Sequence, residues 1–138
     1  MKNFIENKNT KKDVLITTPI FYVNSQPHIG HLYTAILASA IKEANIIQNK
    51  NAYLSTGTDE HGLKVQQKAK ENNINTKEFC DLNSNKFREL FDKAKINYNY
   101  YIRTTDERHI NFAKSFWENL HKEDKIKSCI YLNKALNL

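Results

Sequence analysis

Two histidines three residues apart, His28 and His31, follow Pro27 in the sequence, with Gly30 between them. Residues three apart share one face of a helix, so both imidazoles can reach the same ligand group. A helix that begins here offers free N–H groups and a partial positive charge, which favour phosphate. Gly30 leaves room for a base or ribose against the backbone. These residues suit ATP binding and the stabilisation of charge on phosphorus during adenylyl transfer.

Asp59 is a second candidate, in the segment GTDEHG at residues 57–62. Its carboxylate can anchor a substrate ammonium group. It can also be structural, capping the helix that follows, with Glu60 as an acid in the first turn. The sequence leaves both interpretations open, and it assigns no role to His61.

A strand–helix–strand unit is predicted to position these residues. VLITT at 14–18 is β-branched and continuous, which predicts a strand buried on both faces, and AYLST at 52–56 predicts a second one. The helix between them ends near residues 49–51, and its apolar stripe is predicted to be core. That stripe consists of Ile29, Leu32, Tyr33, Ile36, Leu37, Ala40, Ile41, Ala44 and Ile47. The unit predicts an α/β fold with a Rossmann-like parallel sheet.

The remaining chain predicts a polar helix at 63–72, a helix capped by Thr76, a strand at 100–104 and a last helix capped by Thr105 or Asp106. Two apolar stripes on the later helices are also predicted to be core. They consist of Phe79, Leu82, Phe87, Leu90, Phe91 and Ala94, and of Ile110, Ala113, Phe116, Trp117 and Leu120. Ligands bind beyond the carboxyl ends of parallel strands, so His28, His31 and Asp59 are expected at one edge of the sheet.

Composition fits one globular domain. The chain has 138 residues, a net charge of +6 and a pI near 9.2, which suits a polyanionic partner such as ATP or RNA. No apolar run approaches the roughly 18 residues of a membrane span, so no membrane partner is expected. Cys80 and Cys129 lack metal-site or disulfide spacing, which indicates reduced thiols in a cytosol-like compartment and no metal site. Residues 1–12 are expected to be a disordered extension without a targeting signal.

Three segments together resemble the N-terminal half of the catalytic domain of methionyl-tRNA synthetase, a class I aminoacyl-tRNA synthetase. They are TTPIFYVNSQPHIGHLYT, LSTGTDEHGLKVQQKA and FRELFDKAKINYNYYIRTTDERH, and the resemblance covers residues 13–128. His28-Ile29-Gly30-His31 matches the signature of the whole class. The segments TTPIFYVN and GTDEHG point to methionine in particular.

The resemblance implies roles for individual residues. Pro19, Ile20 and Tyr22 would shape the methionine pocket, and Asp59 would hold the α-ammonium group. His28, Gly30 and His31 would bind ATP, and the two histidines would be catalytic. The implied reaction joins methionine to the α-phosphate of ATP, with Mg²⁺ accompanying the nucleotide, and then transfers methionine to tRNA(Met).

The chain also departs from the family pattern. The zinc-bearing insertion, the KMSKS-type loop and the anticodon-binding domain have no counterpart, and residues 129–138 diverge where the insertion would begin. We therefore expect a truncated chain that is inactive by itself, with no zinc site. Two alternatives remain open: a nucleotidylyltransferase of the HxGH type, and a non-catalytic module that binds nucleotide or RNA. A cytoplasmic location is expected, and an organellar form is left open.

Overall fold

The structure is a computed structural model that describes residues 11–126. The described part forms two compact units, one up to Thr105 and one from Asp106 onward. Apart from residues 11 and 12, the predicted N-terminal extension lies outside the described residues, as does the predicted tail at 129–138. The elements in chain order are β1 (Asp13–Thr17), β2 (Phe21–Tyr22), α1 (Ile29–Ile47), β3 (Asn51–Asp59), α2 (Leu63–Glu71), α3 (Thr76–Lys93), β4 (Tyr100–Arg103) and α4 (Glu107–Lys122).

β3 is the centre of a parallel sheet, since it pairs with each of the other three strands. Two of its residues have a partner on both sides: Ser55 pairs with Thr17 and Tyr100, and Thr58 pairs with Phe21 and Arg103. β1 and β2 therefore follow one another along one side of β3, and β4 lies along the other. The predicted α/β class and the parallel pairing of β1 with β3 are confirmed.

The prediction that β1 is buried on both faces is wrong. Ile16 packs against the core beneath the sheet, but Leu15, on the opposite face, is 65% exposed. Its register partner Tyr53 is exposed as well. Both α1 and α3 contribute to the core cluster that contains Ile16, so they cover the same face of the sheet. Within residues 11–126, the Leu15 face therefore stays accessible to solvent.

The prediction for the core face of α1 is also wrong. Its buried residues are Ala35, Ala38 and Lys42, and Leu32 is only partly buried. Small alanines let the helix approach β3 closely, and the Lys42 ammonium donates to the Asn97 carbonyl at 2.7 Å. The other members of the predicted stripe are exposed: Ile29, Tyr33, Ile36, Leu37, Ala40, Ile41, Ala44 and Ile47.

α3 contributes four buried hydrophobic residues, Phe79, Cys80, Phe87 and Phe91, which is more than any other described element, and three of them belong to its predicted stripe. Phe87 and Phe91 are fully buried against Phe21 of β2 and Leu54 of β3. Leu82 departs from the prediction, since it is exposed. The N-cap is Asn75 rather than Thr76. The Asn75 side chain accepts a hydrogen bond from the Lys77 backbone N–H at 2.8 Å and so satisfies a free donor at the helix start.

α4 belongs to the second unit and begins at its N-cap Asp106, one of the two predicted caps. None of its residues is buried, and Trp117 is 61% exposed, so the prediction that this stripe is core is wrong. The reason is that no other described helix or strand belongs to this unit. Across residues 11–126, no helix is both long enough and apolar enough to cross a membrane.

Candidate nucleotide and amino acid site

His28 and His31 form a reciprocal cap at the start of α1. The Nδ1 atom of His28 accepts from the Gly30 backbone N–H at 3.1 Å, and the Nδ1 atom of His31 accepts from the His28 backbone N–H at 3.1 Å. The two rings stack with their centroids 3.7 Å apart. Two donors that a helix start leaves free are thus satisfied by imidazoles.

Aromatic side chains hold the His31 ring in place. Phe21 and Phe87 meet it edge-on, with centroids 5.1 and 5.0 Å away. Partial burial lowers the pKa of His31 below its usual 6.5, and the nearby His28 lowers it further. His31 is therefore a neutral imidazole at neutral pH, able to donate one hydrogen bond and accept another.

Gly30 makes room for the His28 ring. A Cβ atom at this position would lie 3.0 Å from Cε1 and 3.1 Å from Nδ1 of His28. These distances are tighter than ordinary contacts, so a larger residue would require the His28 ring to shift by a few tenths of an ångström. The sequence predicted that Gly30 leaves space for a ligand, and that role stays a prediction.

The two-residue strand β2 joins the predicted parts of the site, and it was missed from the sequence. Phe21 points into the core against His31, while Tyr22 lies in register with Asp59 of β3. Adjacent strand residues face opposite sides of a sheet, so one short strand contacts both regions. The apolar, aromatic run IFYV at 20–23 was the signal that favoured a strand here.

Asp59 ends β3 at the carboxyl edge of the sheet, where it was predicted. The capping interpretation is not supported, because α2 has Gly62 as its N-cap and no side chain bonds to that cap. Asp59 accepts only a long 3.4 Å hydrogen bond from the His61 N–H among the bonds described for it. Pro19 and Ile20, between β1 and β2, are both exposed, with Ile20 at 43%.

Glu60 has a structural role that the sequence did not reveal. Its side chain is fully buried and accepts from Arg103 at 2.7 and 2.9 Å, from Thr58 at 2.7 Å and from Thr105. Burial alone would raise the pKa of Glu60, but the hydrogen bonds from Arg103, Thr105 and Thr58 outweigh it and lower the pKa. Arg103 also pairs with Asp81, whose pKa this contact lowers. The network fixes the chain on either side of Asp59.

A cavity of about 430 Å³ lies beside this network, lined by Glu60, His61, Gly62, Gln66, Asn75, Thr76, Lys77, Cys80 and Thr105. His61 directs its Nε2 toward the Thr104 carbonyl at 3.1 Å. Burial raises the pKa of the Cys80 thiol to about 11, so this cysteine is unreactive at neutral pH. Among residues 11–126, no group of three or more His, Cys, Asp or Glu side chains could hold a metal ion.

Comparison with known proteins gives the family. The family model for tRNA synthetases class I (M) matches residues 14–133. The chain belongs to the methionyl branch of the class I tRNA synthetases. This membership confirms the resemblance found in the sequence and leaves the nucleotidylyltransferase hypothesis without support.

The relatives agree with the family. The chain is 50% identical over 121 residues to a probable mitochondrial methionine–tRNA ligase of Dictyostelium discoideum, covering 88% of this chain and 21% of that protein. It is 42% identical over 111 residues to the methionine–tRNA ligase of Campylobacter jejuni, covering 80% of this chain and 18% of that one. The chain therefore spans about a fifth of the length of these curated relatives.

Solved structures support the fold. The Mycobacterium tuberculosis methionyl-tRNA synthetase in complex with methionyl-adenylate superposes with a TM-score of 0.78 at 35% identity, covering 80% of this chain and 22% of that one. A leucyl-tRNA synthetase complex from Agrobacterium radiobacter gives a TM-score of 0.76 at 13% identity, over 86% of this chain and 16% of that one, which shows the fold alone. The predicted Rossmann-like class I fold is thus confirmed.

Proposed function

We propose that this chain forms the N-terminal part of the catalytic domain of a methionine–tRNA ligase, where it contributes half of the adenylate-forming site. The reaction is attack of the methionine carboxylate on the α-phosphate of ATP, followed by transfer of methionine to tRNA. Mg²⁺ enters with the nucleotide as part of the substrate. His28, Gly30 and His31 bind ATP, and Asp59 holds the methionine ammonium group.

The observation that carries this proposal is β2. Its Phe21 packs on His31, and its Tyr22 lies in register with Asp59, so a two-residue strand connects the imidazole pair to the carboxylate. Both lie at the carboxyl edge of a parallel sheet, where α/β proteins bind ligands. A relative of similar fold is known with methionyl-adenylate bound.

The chemistry of each group suits its proposed substrate. Asp59 keeps a half-buried carboxylate that contributes no helix cap, so it is available to a cation. The exposed Ile20 and Tyr22 offer apolar and aromatic surface to a thioether, and Pro19 shapes the turn between them and β1. Imidazole donors at a helix N-terminus can stabilise charge on the α-phosphate.

A chimera tests the proposal directly. Residues 13–128 replace the corresponding segment of the Campylobacter jejuni ligase, which is 42% identical over the matched part. We expect this chimeric ligase to catalyse methionine-dependent exchange between ATP and pyrophosphate and to charge tRNA(Met). A folded chimera without exchange would reject the proposed site and favour a non-catalytic nucleotide- or RNA-binding module.

The relatives also bear on the cellular compartment in which this protein works. Reduced thiols led us to expect the cytoplasm, yet relatives from Dictyostelium, Neurospora and Takifugu are named as mitochondrial enzymes. Mitochondrial matrix and cytosol both keep such thiols reduced, so cysteine usage does not separate them. We propose an organellar ligase on the strength of these relatives, and fractionation of cells that express the tagged native protein tests it.

A further inference from the structure

The histidine pair has a fixed arrangement of hydrogen-bonding atoms. Both Nδ1 atoms accept hydrogen bonds from backbone N–H groups, at 3.1 Å each. A neutral imidazole carries one N–H and one lone pair, so a ring that accepts through Nδ1 carries its proton on Nε2. The caps therefore select one tautomer for both rings.

We propose that the Nδ1 atoms of His28 and His31 cap α1 as acceptors, that Nε2–H is the ring donor left for the ligand, and that acid loosens the first turn of α1 by protonating His31. That the ligand of these donors is a phosphate rests on the proposed function. The tautomers and the acid response rest on the chain alone.

Protonation removes the cap for a simple reason. An imidazolium carries a hydrogen on both nitrogens, so its Nδ1–H would point at the backbone N–H that it previously accepted from. Protonation of His31 thus exchanges its hydrogen bond from the His28 N–H for a repulsive contact. Stacking of the rings at 3.7 Å makes a doubly charged pair still less favourable.

The surroundings favour the neutral form of His31. β2 and α3 contribute Phe21 and Phe87 to the contacts of His31, and neither can titrate. His28 is the titratable group that acts on His31, and both it and burial lower the pKa of His31. Because the unfolded chain binds the proton more tightly, the contribution to stability is present above the unfolded pKa of 6.5 and is lost as the pH falls.

The competing model is an imidazolium pair that attracts phosphate by charge. It predicts protonated Nδ1 atoms near neutral pH and an α1 start that is unaffected or strengthened by acid. Gly30 argues against it, because the absent side chain leaves space for the His28 ring in its capping position.

Nuclear magnetic resonance of the ¹⁵N-labelled full chain tests the inference without a ligand. At pH 7.5 we expect ring nitrogen shifts of the Nε2–H tautomer for both histidines. Between pH 7.5 and 5, exchange of the His28 amide, which His31 caps, should quicken about fivefold after correction for the intrinsic effect of pH, which corresponds to the ~1 kcal/mol of a lost N-cap. A protonated Nδ1 in either ring at pH 7.5, or an unchanged His28 amide, would overturn the proposal.

Two matched variants test the His31 half separately. His31→Gln keeps an acceptor that suits this helix position but cannot titrate, whereas His31→Phe keeps an aromatic ring without any acceptor. We expect the His28 amide to stay protected at all pH values in the first variant and to be unprotected throughout in the second. Equal protection in both would overturn the cap. If a variant does not fold, the measurements on the parent chain decide whether His31 caps the helix. If the expected tautomers are found but ATP does not bind, the result counts only against the proposed function.

Discussion

Asp59 and Glu60 are adjacent carboxylates for which the structure predicts opposite consequences of losing the charge. Side chains alternate along extended chain, so Thr58 and Glu60 point inward and bond at 2.7 Å, while Asp59 points away from them. Asp59→Asn and Glu60→Gln are both isosteric. We expect Asp59→Asn to weaken methionine binding with little change in stability, and Glu60→Gln to destabilise the fold.

The magnitudes follow from burial and partners. Removing one member of a buried ion pair costs about 3–5 kcal/mol. The amide introduced by Glu60→Gln would keep an acceptor oxygen, and Asp81 stays on Arg103, so we expect this variant to lose about 2–3 kcal/mol of unfolding free energy. Asp59 has one long hydrogen bond and caps no helix, so its substitution should change stability by less than about 0.5 kcal/mol.

Methionine affinity should fall in Asp59→Asn, the variant that keeps its stability. An ammonium that loses its counter-charge in a partly desolvated site loses about 2–5 kcal/mol, or roughly 30-fold and more in Kd. Calorimetric titration of methionine into the chimeric ligase measures affinity, and urea denaturation measures stability. An Asp59→Asn variant that binds methionine like its parent would refute the anchoring role. A Glu60→Gln variant as stable as its parent would refute the buried network.

Further predictions concern activity, packing and pH. The 138-residue chain alone should show methionine-dependent ATP–pyrophosphate exchange at background level, and robust exchange by the pure chain would contradict this. His31→Ala in the chimeric ligase should raise the barrier to adenylate formation by about 2–4 kcal/mol, seen in single-turnover rates, with methionine affinity unchanged. Gly57→Ala should destabilise the chain by about 3 kcal/mol or more in urea titrations, because its Cβ would lie 1.8 Å from the Ile102 carbonyl oxygen. Since the folded pKa of Glu60 is lowered, its stabilisation is present above the unfolded value of 4.5 and is lost as the pH falls below it; acid denaturation curves should become flatter in Glu60→Gln.

Sequence patterns predicted the elements of the first unit well, because each one has a local signal. The β-branched run before Pro19, the i, i+3, i+4 spacing from Ile29 and the second β-branched run gave β1, α1 and β3, and their parallel pairing is confirmed. β2 was missed because two residues are too few for a periodic signal. Its pairing depends on Thr58 and Asp59, which are more than thirty residues away in the chain.

The same patterns did not show which face of α1 packs. Periodicity finds an apolar stripe, but it does not identify what lies against that stripe. Ala35 and Ala38 are small, so they fit the narrow space against β3, whereas the large side chains of the predicted stripe do not. The exposed Leu15 on β1 has a related explanation, because a continuous apolar strand indicates cover on both faces without saying which segment provides it.

The candidate site was predicted as residues at an edge, and its internal contacts were not. Histidine spacing and the position of Asp59 after a strand are local features, so both were available from the sequence. The bonds between Glu60 and Arg103 join residues 43 apart and exist only because β4 lies beside β3. From the sequence, Glu60 enters only as a first-turn acid within the structural alternative for Asp59, although its side chain accepts four hydrogen bonds in the described structure.

Gly30 in the segment His28-Ile29-Gly30-His31 has a role within the chain itself, apart from any ligand. Conformational freedom is not what Gly30 supplies, since it lies in the first turn of a regular helix. Its missing Cβ admits the His28 ring at 3.0 Å, and that ring caps the helix through Nδ1. Once Nδ1 is occupied, Nε2–H is the only donor that either ring can offer outward. The spacing of the two histidines, the glycine between them and the protonation state needed for a phosphate donor are therefore linked by one capping geometry, before any ligand is bound.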